Sequence, residues 1–139
     1  MEQQIKPVLL IIADISGYTR FMVSTKMDLA HGQIIISELI KEIIRQIEIP
    51  LEVSKLEGDA VFLYAPKSEN EAEWADVKKN IGGKLVTFFE AFSRKVVELS
   101  ESNLCNCPCC DNVNKLRLKL IVHFGEALFY QIGRFYELS

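Results

Sequence analysis

Two short stretches hold the side chains best suited to chemistry: residues 13–19, with the sequence ADISGYT, and residues 55–60, with the sequence KLEGDA. Asp14 follows an apolar, strand-like run, and Asp59 precedes another. An ionised carboxylate beside a buried strand is costly unless it is paired or binds a metal. Two such carboxylates, in elements that we expect to be neighbours, suggest a divalent-metal site that handles phosphate. The alternative is that both aspartates cap turns, a role that asparagine or serine would fill equally well.

The composition is ordinary for one globular domain, which we expect to cover residues 1–139. The chain is 49% hydrophobic and 25% charged, and 139 residues suffice for a real core. A net charge of −3 disfavours an electrostatic nucleic-acid binder. No apolar run reaches the roughly 18 residues that span a bilayer, and we find no signal peptide. We therefore expect a cytoplasmic protein that binds neither nucleic acid nor membrane.

The hydrophobic pattern predicts elements in the order β-α-β-β-α-β-β. The first strand is apolar throughout, as in a central strand covered on both faces, and the long helices show the 3.6-residue period. The predicted ranges are 8–13, 28–47, 51–55, 60–65, 69–99, 116–124 and 127–138. Two β-α-β units around an antiparallel hairpin describe an α+β, ferredoxin-like sheet with helices packed on it.

Several local signals refine this pattern. A helix or helical turn is expected to begin near Tyr18, and Ser68 with Glu71 predicts a capping box for the second long helix. The glycines at 82–83 predict a kink or a close helix contact within that helix. A turn at 125–126 is expected to separate the last two strands.

Three motifs of the sequence resemble those of one protein family, the class III nucleotidyl cyclases. Members of this family include adenylate and guanylate cyclases. Residues 13–19 look like the first-strand motif, and residues 55–60 are similar to the hairpin motif. Residues 122–126, with the sequence VHFGE, resemble the later Ile-His-x-Gly-Glu segment. The resemblance covers nearly the whole chain and implies the nucleotidyl cyclase form of the ferredoxin-like fold. The cysteine-rich loop before the last motif resembles, more narrowly, an uncharacterised bacterial subgroup of cyclase-like proteins.

The resemblance implies a metal-dependent ATP site. Asp14 and Asp59 match the two metal-binding aspartates, and Ile15 matches the position that adds a backbone carbonyl. Two Mg²⁺ or Mn²⁺ ions would activate the ribose 3′-hydroxyl and neutralise the triphosphate. The amides that would hold phosphate oxygens at the start of a helix belong to Ser16, Gly17, Tyr18 and Thr19.

Lys55 matches the position that reads the base, where lysine goes with adenine. The alternative is an exposed lysine on a strand. Because the family forms its site between two chains, Lys55 would face the aspartates of a partner. The resemblance therefore implies a homodimer.

The family also uses an asparagine and an arginine on a helix after the last hairpin. The chain given ends at Ser139, before that helix, so we assign no catalytic residue and expect the C-terminal part of the fold to be missing. The resemblance is compatible with two functions, an enzyme and a binding module. One is an adenylate cyclase that converts ATP to cyclic AMP; the other is an inactive cyclase-like module for nucleotide or metal sensing, or for dimerisation.

Four cysteines lie close together in one polar stretch, at Cys105, Cys107, Cys109 and Cys110. A cytoplasmic setting favours thiolates or metal over disulfides. The spacing differs from paired Cys-x-x-Cys knuckles, and four ligands so close together cannot easily surround one ion. Zinc held by some of them together with another residue or chain, free surface thiols, and a disulfide formed during handling stay open.

Overall fold

A computed structural model describes residues 3–24, 29–48, 50–101, 112–133 and 135–139. The observed order of elements matches the predicted one, with a short helix at the place where a helix or helical turn was expected. The elements are β1 (Gln4–Ser16), α1 (Tyr18–Ser24), α2 (Leu29–Arg45), β2 (Glu52–Glu57), β3 (Ala60–Pro66), α3 (Glu71–Glu101), a 3₁₀ turn (Val113–Lys115), β4 (Arg117–Ile132) and β5 (Phe135–Leu138). None of the helices in the described ranges is long and apolar enough to cross a membrane.

The five strands form one antiparallel sheet in the order β2-β3-β1-β4-β5. Side chains alternate between the two faces of a strand, and on β1 the residues Leu9, Ile11 and Ala13 are fully buried. They join one core cluster with apolar residues of α2 and α3. Both long helices therefore cover the same face of the sheet. This confirms the predicted α+β, ferredoxin-like arrangement.

The opposite sheet face, which we call the open face, is not covered by these helices. On β1 it carries Leu10, Ile12 and Asp14, which alternate with the core residues. A smaller apolar cluster at one end contains Val8 and Phe129. The open face is where the sequence-predicted carboxylate of Asp14 lies.

The last two strands differ from the prediction. β4 runs without a break from Arg117 to Ile132, so the turn expected at 125–126 is wrong. Gly125 pairs with Val8 inside the sheet. A Cβ atom at Gly125 would lie 2.5 Å from Nε2 of His123, so glycine makes room there for the histidine ring. The β4–β5 turn contains Gly133, whose φ of +59° suits glycine.

The start of α3 also differs from the predicted capping box. The side-chain oxygen of Asn70 accepts hydrogen bonds from the backbone N–H groups of Ala72, at 2.9 Å, and Glu73, at 3.3 Å. Asn70 is therefore the N-cap. Ser68 instead donates to the carboxylate of Glu73 at 2.8 Å.

The glycine pair at 82–83 lies inside a continuous α3. Among the residues that the structure describes, a Cβ atom on either glycine would meet nothing within 4 Å. Of the two predicted alternatives, the close helix contact is therefore wrong, and the kink stays a prediction.

Candidate metal and nucleotide site

The structure brings Asp14 and Asp59 together at one end of the sheet. Asp14 pairs with Ala60 across β1 and β3, and Asp59 lies in the turn that precedes β3. The backbone N–H of Ile15 donates a hydrogen bond of 2.9 Å to the carbonyl of Asp59. The two carboxylates are therefore placed side by side by backbone pairing, as the sequence led us to expect.

The electrostatics of Asp14 show that its charge is disfavoured in this setting. Burial raises the pKa of Asp14 most, and the charge of Asp59 and a side-chain hydrogen bond to Asp59 raise it further. The charge of Lys119 and the backbone of Ile15 act in the opposite direction. Because a like charge at close range opposes ionisation of Asp14, a cation between the carboxylates would relieve the repulsion.

The donor set fits a hard divalent cation that keeps open positions. Among the described residues, no group of three or more His, Cys, Asp or Glu side chains is placed to hold a metal. A metal at Asp14 and Asp59 would therefore take its other ligands from backbone, water or phosphate. That division is typical of Mg²⁺, which binds one or two carboxylates and keeps oxygen ligands from water and substrate. The carbonyl of Ile15 stays a prediction as a further ligand.

The predicted phosphate-binding segment lies in the same place. Residues 16–19 line one open cleft of about 440 Å³ together with Asp14 and Asp59. Gly17 has a φ of +89°, and its carbonyl accepts a hydrogen bond from the N–H of Phe21 at 2.9 Å. The chain therefore turns sharply out of β1 and begins α1 beside the carboxylates. Phosphate binding by these amides stays a prediction.

Tyr18 has a visible structural role within this segment. A Cβ atom on Gly58 would lie 3.4 Å from the hydroxyl of Tyr18. Tyr18 is half-buried and packs against the β2–β3 turn that carries Asp59. Its side chain therefore holds one wall of the cleft, which the sequence did not reveal.

Lys55 lies on the same sheet face as Asp14, but two strands away. It pairs with Phe62 on β3, which pairs with Ile12 on β1. From the usual strand spacing and rise, the Cα atoms of Lys55 and Asp14 are about 12 Å apart. The Lys55 ammonium lies 4.6 Å from the centroid of the Phe62 ring and 3.2 Å from Glu57. Lys55 is not among the described residues that line the cleft of Asp14 and Asp59.

Two cationic residues that the sequence did not mark as site residues also line the cleft: Arg20 on α1 and Lys119 on β4. Lys119 pairs directly with Asp14. The alternation of β4 predicts that Lys119 points away from the core, but the partner of that position depends on the register between β4 and β1. Register is a property of the folded sheet, so no local signal could have found this pair.

The four cysteines at 105, 107, 109 and 110 lie outside the described residues. Zinc at these positions stays a prediction.

Solved structures that resemble this fold include nucleotidyl cyclases. The adenylyl cyclase CyaB from P. aeruginosa superposes with a TM-score of 0.71 at 12% identity, over 100% of this chain and 67% of that one. A bacterial light-regulated adenylyl cyclase gives 0.65 at 14% identity, over 100% of this chain and 37% of that one. The guanylyl cyclase Cya2 gives 0.59 at 16% identity, over 100% and 65%. At these identities the likeness shows the fold, which is cyclase-like as predicted.

Sequence comparison identifies an uncharacterised relative and a family. The chain is 25% identical over 89 residues to the uncharacterized protein Rv2561/Rv2562 of Mycobacterium tuberculosis, a match that covers 64% of this chain and 39% of the relative. The chain thus spans well under half the length of that relative. The family model described as protein of unknown function DUF2652 matches residues 36–139. The chain with this cyclase-like fold therefore belongs to the DUF2652 family.

Proposed function

We propose that this domain binds ATP through divalent metal held by Asp14 and Asp59. The observation that carries the proposal is the placement of the two carboxylates side by side at one end of a cyclase-like sheet. Carboxylate oxygens suit Mg²⁺ or Mn²⁺, and triphosphate oxygens would complete their coordination. The cleft beside the carboxylates is open, so a ligand as large as a nucleotide can approach it.

Different residues of the cleft would bind the metal and the phosphates. Asp14 and Asp59 hold the metal, and the amides of residues 16–19 contact phosphate oxygens. When bound, the metal would polarise the ribose 3′-hydroxyl and neutralise charge on the triphosphate. In the full reaction the 3′-oxygen would form a bond to the α-phosphorus, the bond from that phosphorus to the pyrophosphate oxygen would break, and the hydroxyl proton would pass to water. The products would be cyclic AMP and pyrophosphate.

The base would be read by Lys55 of a second copy of the chain, as the cyclase resemblance implies. Within one chain the Lys55 ammonium contacts the Phe62 ring and Glu57, and Lys55 is not among the described residues that line the cleft, which is compatible with a site that two chains share. Replacement of Lys55 by glutamine should weaken binding of an ATP analogue but leave binding of inorganic tripolyphosphate unchanged. Equal effects on both ligands would contradict a role in reading the base.

Calorimetric titration with α,β-methylene-ATP and Mg²⁺ tests the binding proposal, because the analogue cannot release pyrophosphate. Wild type should bind, Asp14→Asn should lose binding, and Asp76→Asn should keep it. Asp76 is an exposed aspartate on α3 and controls for the loss of one carboxylate. Absence of binding by wild type, or equal binding by Asp14→Asn, would contradict the proposal.

Turnover is a separate question, and its test uses a chain extended past Ser139 so that a helix with the family's asparagine and arginine can be present. Cyclic AMP formed from ATP and Mn²⁺ by the extended wild type, and lost in its Asp14→Asn variant, would identify an adenylate cyclase. Nucleotide binding without cyclic AMP in the extended protein would favour the second candidate, a cyclase-like module that senses nucleotide or metal. The shared requirement of both functions is the carboxylate pair.

A further inference from the structure

A second cavity lies on the helix-covered face of the sheet, opposite the open face. Ion pairs of Lys84 with Glu48, at 2.8 Å, and of Lys95 with Glu38, at 3.9 Å, show that α2 and α3 run in opposite directions. Because α2 ends just before Glu48, residues 71–83 of α3 extend past it. A cavity of about 320 Å³ lies between this part of α3 and the turn that follows α2. We call it the α3 cavity, and its volume is in the range of small-ligand sites.

The floor of the α3 cavity is apolar. Leu9 and Leu51 line it and are 0% and 6% exposed, and the half-buried Val77 and Ile81 pack against the same core cluster. The N–H of Leu51 donates a hydrogen bond of 2.9 Å to the carbonyl of Glu48, which fixes the turn that forms one wall. An apolar group that enters the cavity therefore leaves water for a preformed apolar surface.

The rim of the α3 cavity carries more negative than positive charge. The carboxylate of Glu48 accepts a hydrogen bond from the ammonium of Lys84, which lowers the pKa of Glu48, so these two charges engage each other. Asp76 also lines the cavity, and no ion pair between described residues includes it. Asn80 lies four residues later, on the same face of α3. The rim therefore offers one unpaired carboxylate with an amide nearby.

We propose that the α3 cavity binds a small primary amine with an apolar body. The body lies against Leu51, Val77 and Ile81, and the ammonium pairs with Asp76. A protonated amine complements the excess negative charge of the rim, whereas an anionic ligand would meet two carboxylates at close range. The inference is independent of the proposed function, because no described residue lines both this cavity and the cleft of Asp14.

Titration with phenethylamine tests the proposal, with phenethyl alcohol as a probe that has the same body and no charge. Methyl resonances of isoleucine, leucine and valine report where each probe binds. Wild type should bind the amine with a dissociation constant on the order of 1 mM, and the methyl groups of Leu51, Val77 and Ile81 should shift. The alcohol should bind about twofold to fivefold more weakly, since an exposed ion pair contributes modestly.

Two variants separate the charge from the cavity. Asp76→Asn should bind the amine as weakly as the alcohol, whereas Glu90→Gln should match wild type. Glu90 is exposed on α3 and is not among the described residues that line the cavity, so its loss controls for the change in net charge. Val77→Phe should lose both probes, because the larger side chain fills the cavity. Asp14→Asn should keep both, because Asp14 lies on the open face.

Four results would overturn the proposal: no binding of phenethylamine by wild type, equal binding of the amine and the alcohol, unchanged amine binding in Asp76→Asn, or methyl shifts elsewhere in the protein. The comparison with Asp76→Asn stands even where Val77→Phe fails to fold, because Asp76 is exposed. Amine binding by a wild type that binds no nucleotide would support this inference and overturn the proposed function alone.

Discussion

The N–H of Ile15 donates a hydrogen bond of 2.9 Å to the carbonyl of Asp59, and this bond joins the end of β1 to the turn between β2 and β3. It places Asp14, the residue before Ile15, next to Asp59 whatever their side chains do. Because the backbone imposes this proximity, repulsion between the carboxylates destabilises the folded state. Titratable groups whose charge is disfavoured in the folded protein are concentrated at functional sites, and a cation bound between these carboxylates would offset their repulsion.

Asp14→Asn should stabilise the protein in the absence of metal. The folded state raises the pKa of Asp14 above its ordinary value of 3.8, chiefly through burial, so ionisation of this group costs folding free energy at neutral pH. We expect a gain of about 0.5 kcal/mol, because solvent screens a half-exposed pair, or about 2 °C in Tm. Urea unfolding with a chelator present measures it; a clear loss of stability would count against the repulsion.

The stability that Asp14→Asn gains over wild type should depend on pH, in a direction that follows from the raised pKa of Asp14. A carboxyl whose pKa is raised by folding favours the folded state below the unfolded value of 3.8, and this advantage disappears as the pH rises through the folded pKa. The difference in unfolding free energy between Asp14→Asn and wild type should therefore grow from acid to neutral pH. Unfolding curves at matched ionic strength test this, with Asp76→Asn as the control. A difference that shrinks as the pH rises would contradict the sign.

Divalent metal should reverse the order of stability. A ligand that binds only the folded state, at ten times its dissociation constant, adds about 1.4 kcal/mol to the unfolding free energy. Mn²⁺ should therefore raise the Tm of wild type and of Asp76→Asn, but not of Asp14→Asn. Thermal unfolding with increasing Mn²⁺ checks this. An equal rise in all three proteins would place the metal elsewhere.

The apolar residues of the open face, Leu10, Ile12 and Ile121, should mediate assembly of two copies. Ile121 pairs with Ile12 on that face, and its side chain is 45% exposed. Ile121→Glu should convert a dimer to a monomer, because a charge in an apolar interface is costly. Val86, 53% exposed on α3, gives the control Val86→Glu. Sedimentation equilibrium measures the mass. A wild-type monomer at high concentration, or dimers of both variants, would contradict this interface.

The observed N-cap of α3 makes a prediction about stability alone. Asn70→Ala should lower the free energy of unfolding by about 1 kcal/mol, because the amides of Ala72 and Glu73 lose their acceptor. Ser68→Ala should cost less, since its hydroxyl bonds are exposed. Chemical denaturation compares them. A larger loss in Ser68→Ala would favour the capping box that the sequence suggested.

The sequence predicted the fold well because its apolar residues follow strict periods. The 3.6-residue period predicted for the second long helix agrees with the residues that are buried on α3, which include Trp74, Phe88, Phe92 and Val96. The apolar run before Asp14 forms the central strand of the sheet. The error at Gly125 arose because glycine in a strand resembles a turn signal. Only the pairing of Gly125 with Val8 and the nearby ring of His123 explain why the strand continues.

The candidate site was predictable in part. Asp14 and Asp59 each stood out locally, as a carboxylate beside an apolar run, and the structure brings them together as expected. Lys119 had no such signal, and neither did the packing of the Tyr18 side chain against the β2–β3 turn. Their positions depend on strand register and on the packing of α1 against a turn, which arise only when the sheet has formed.

Mn²⁺ binding in the presence of α,β-methylene-ATP tests most directly whether the carboxylate pair holds the metal on which nucleotide binding depends. Electron paramagnetic resonance reports free Mn²⁺ in the presence of each protein. With the analogue, wild type and Asp76→Asn should reduce the free-Mn²⁺ signal below that of the analogue alone, and Asp59→Asn should not. An equal reduction by Asp59→Asn and wild type would contradict the metal site.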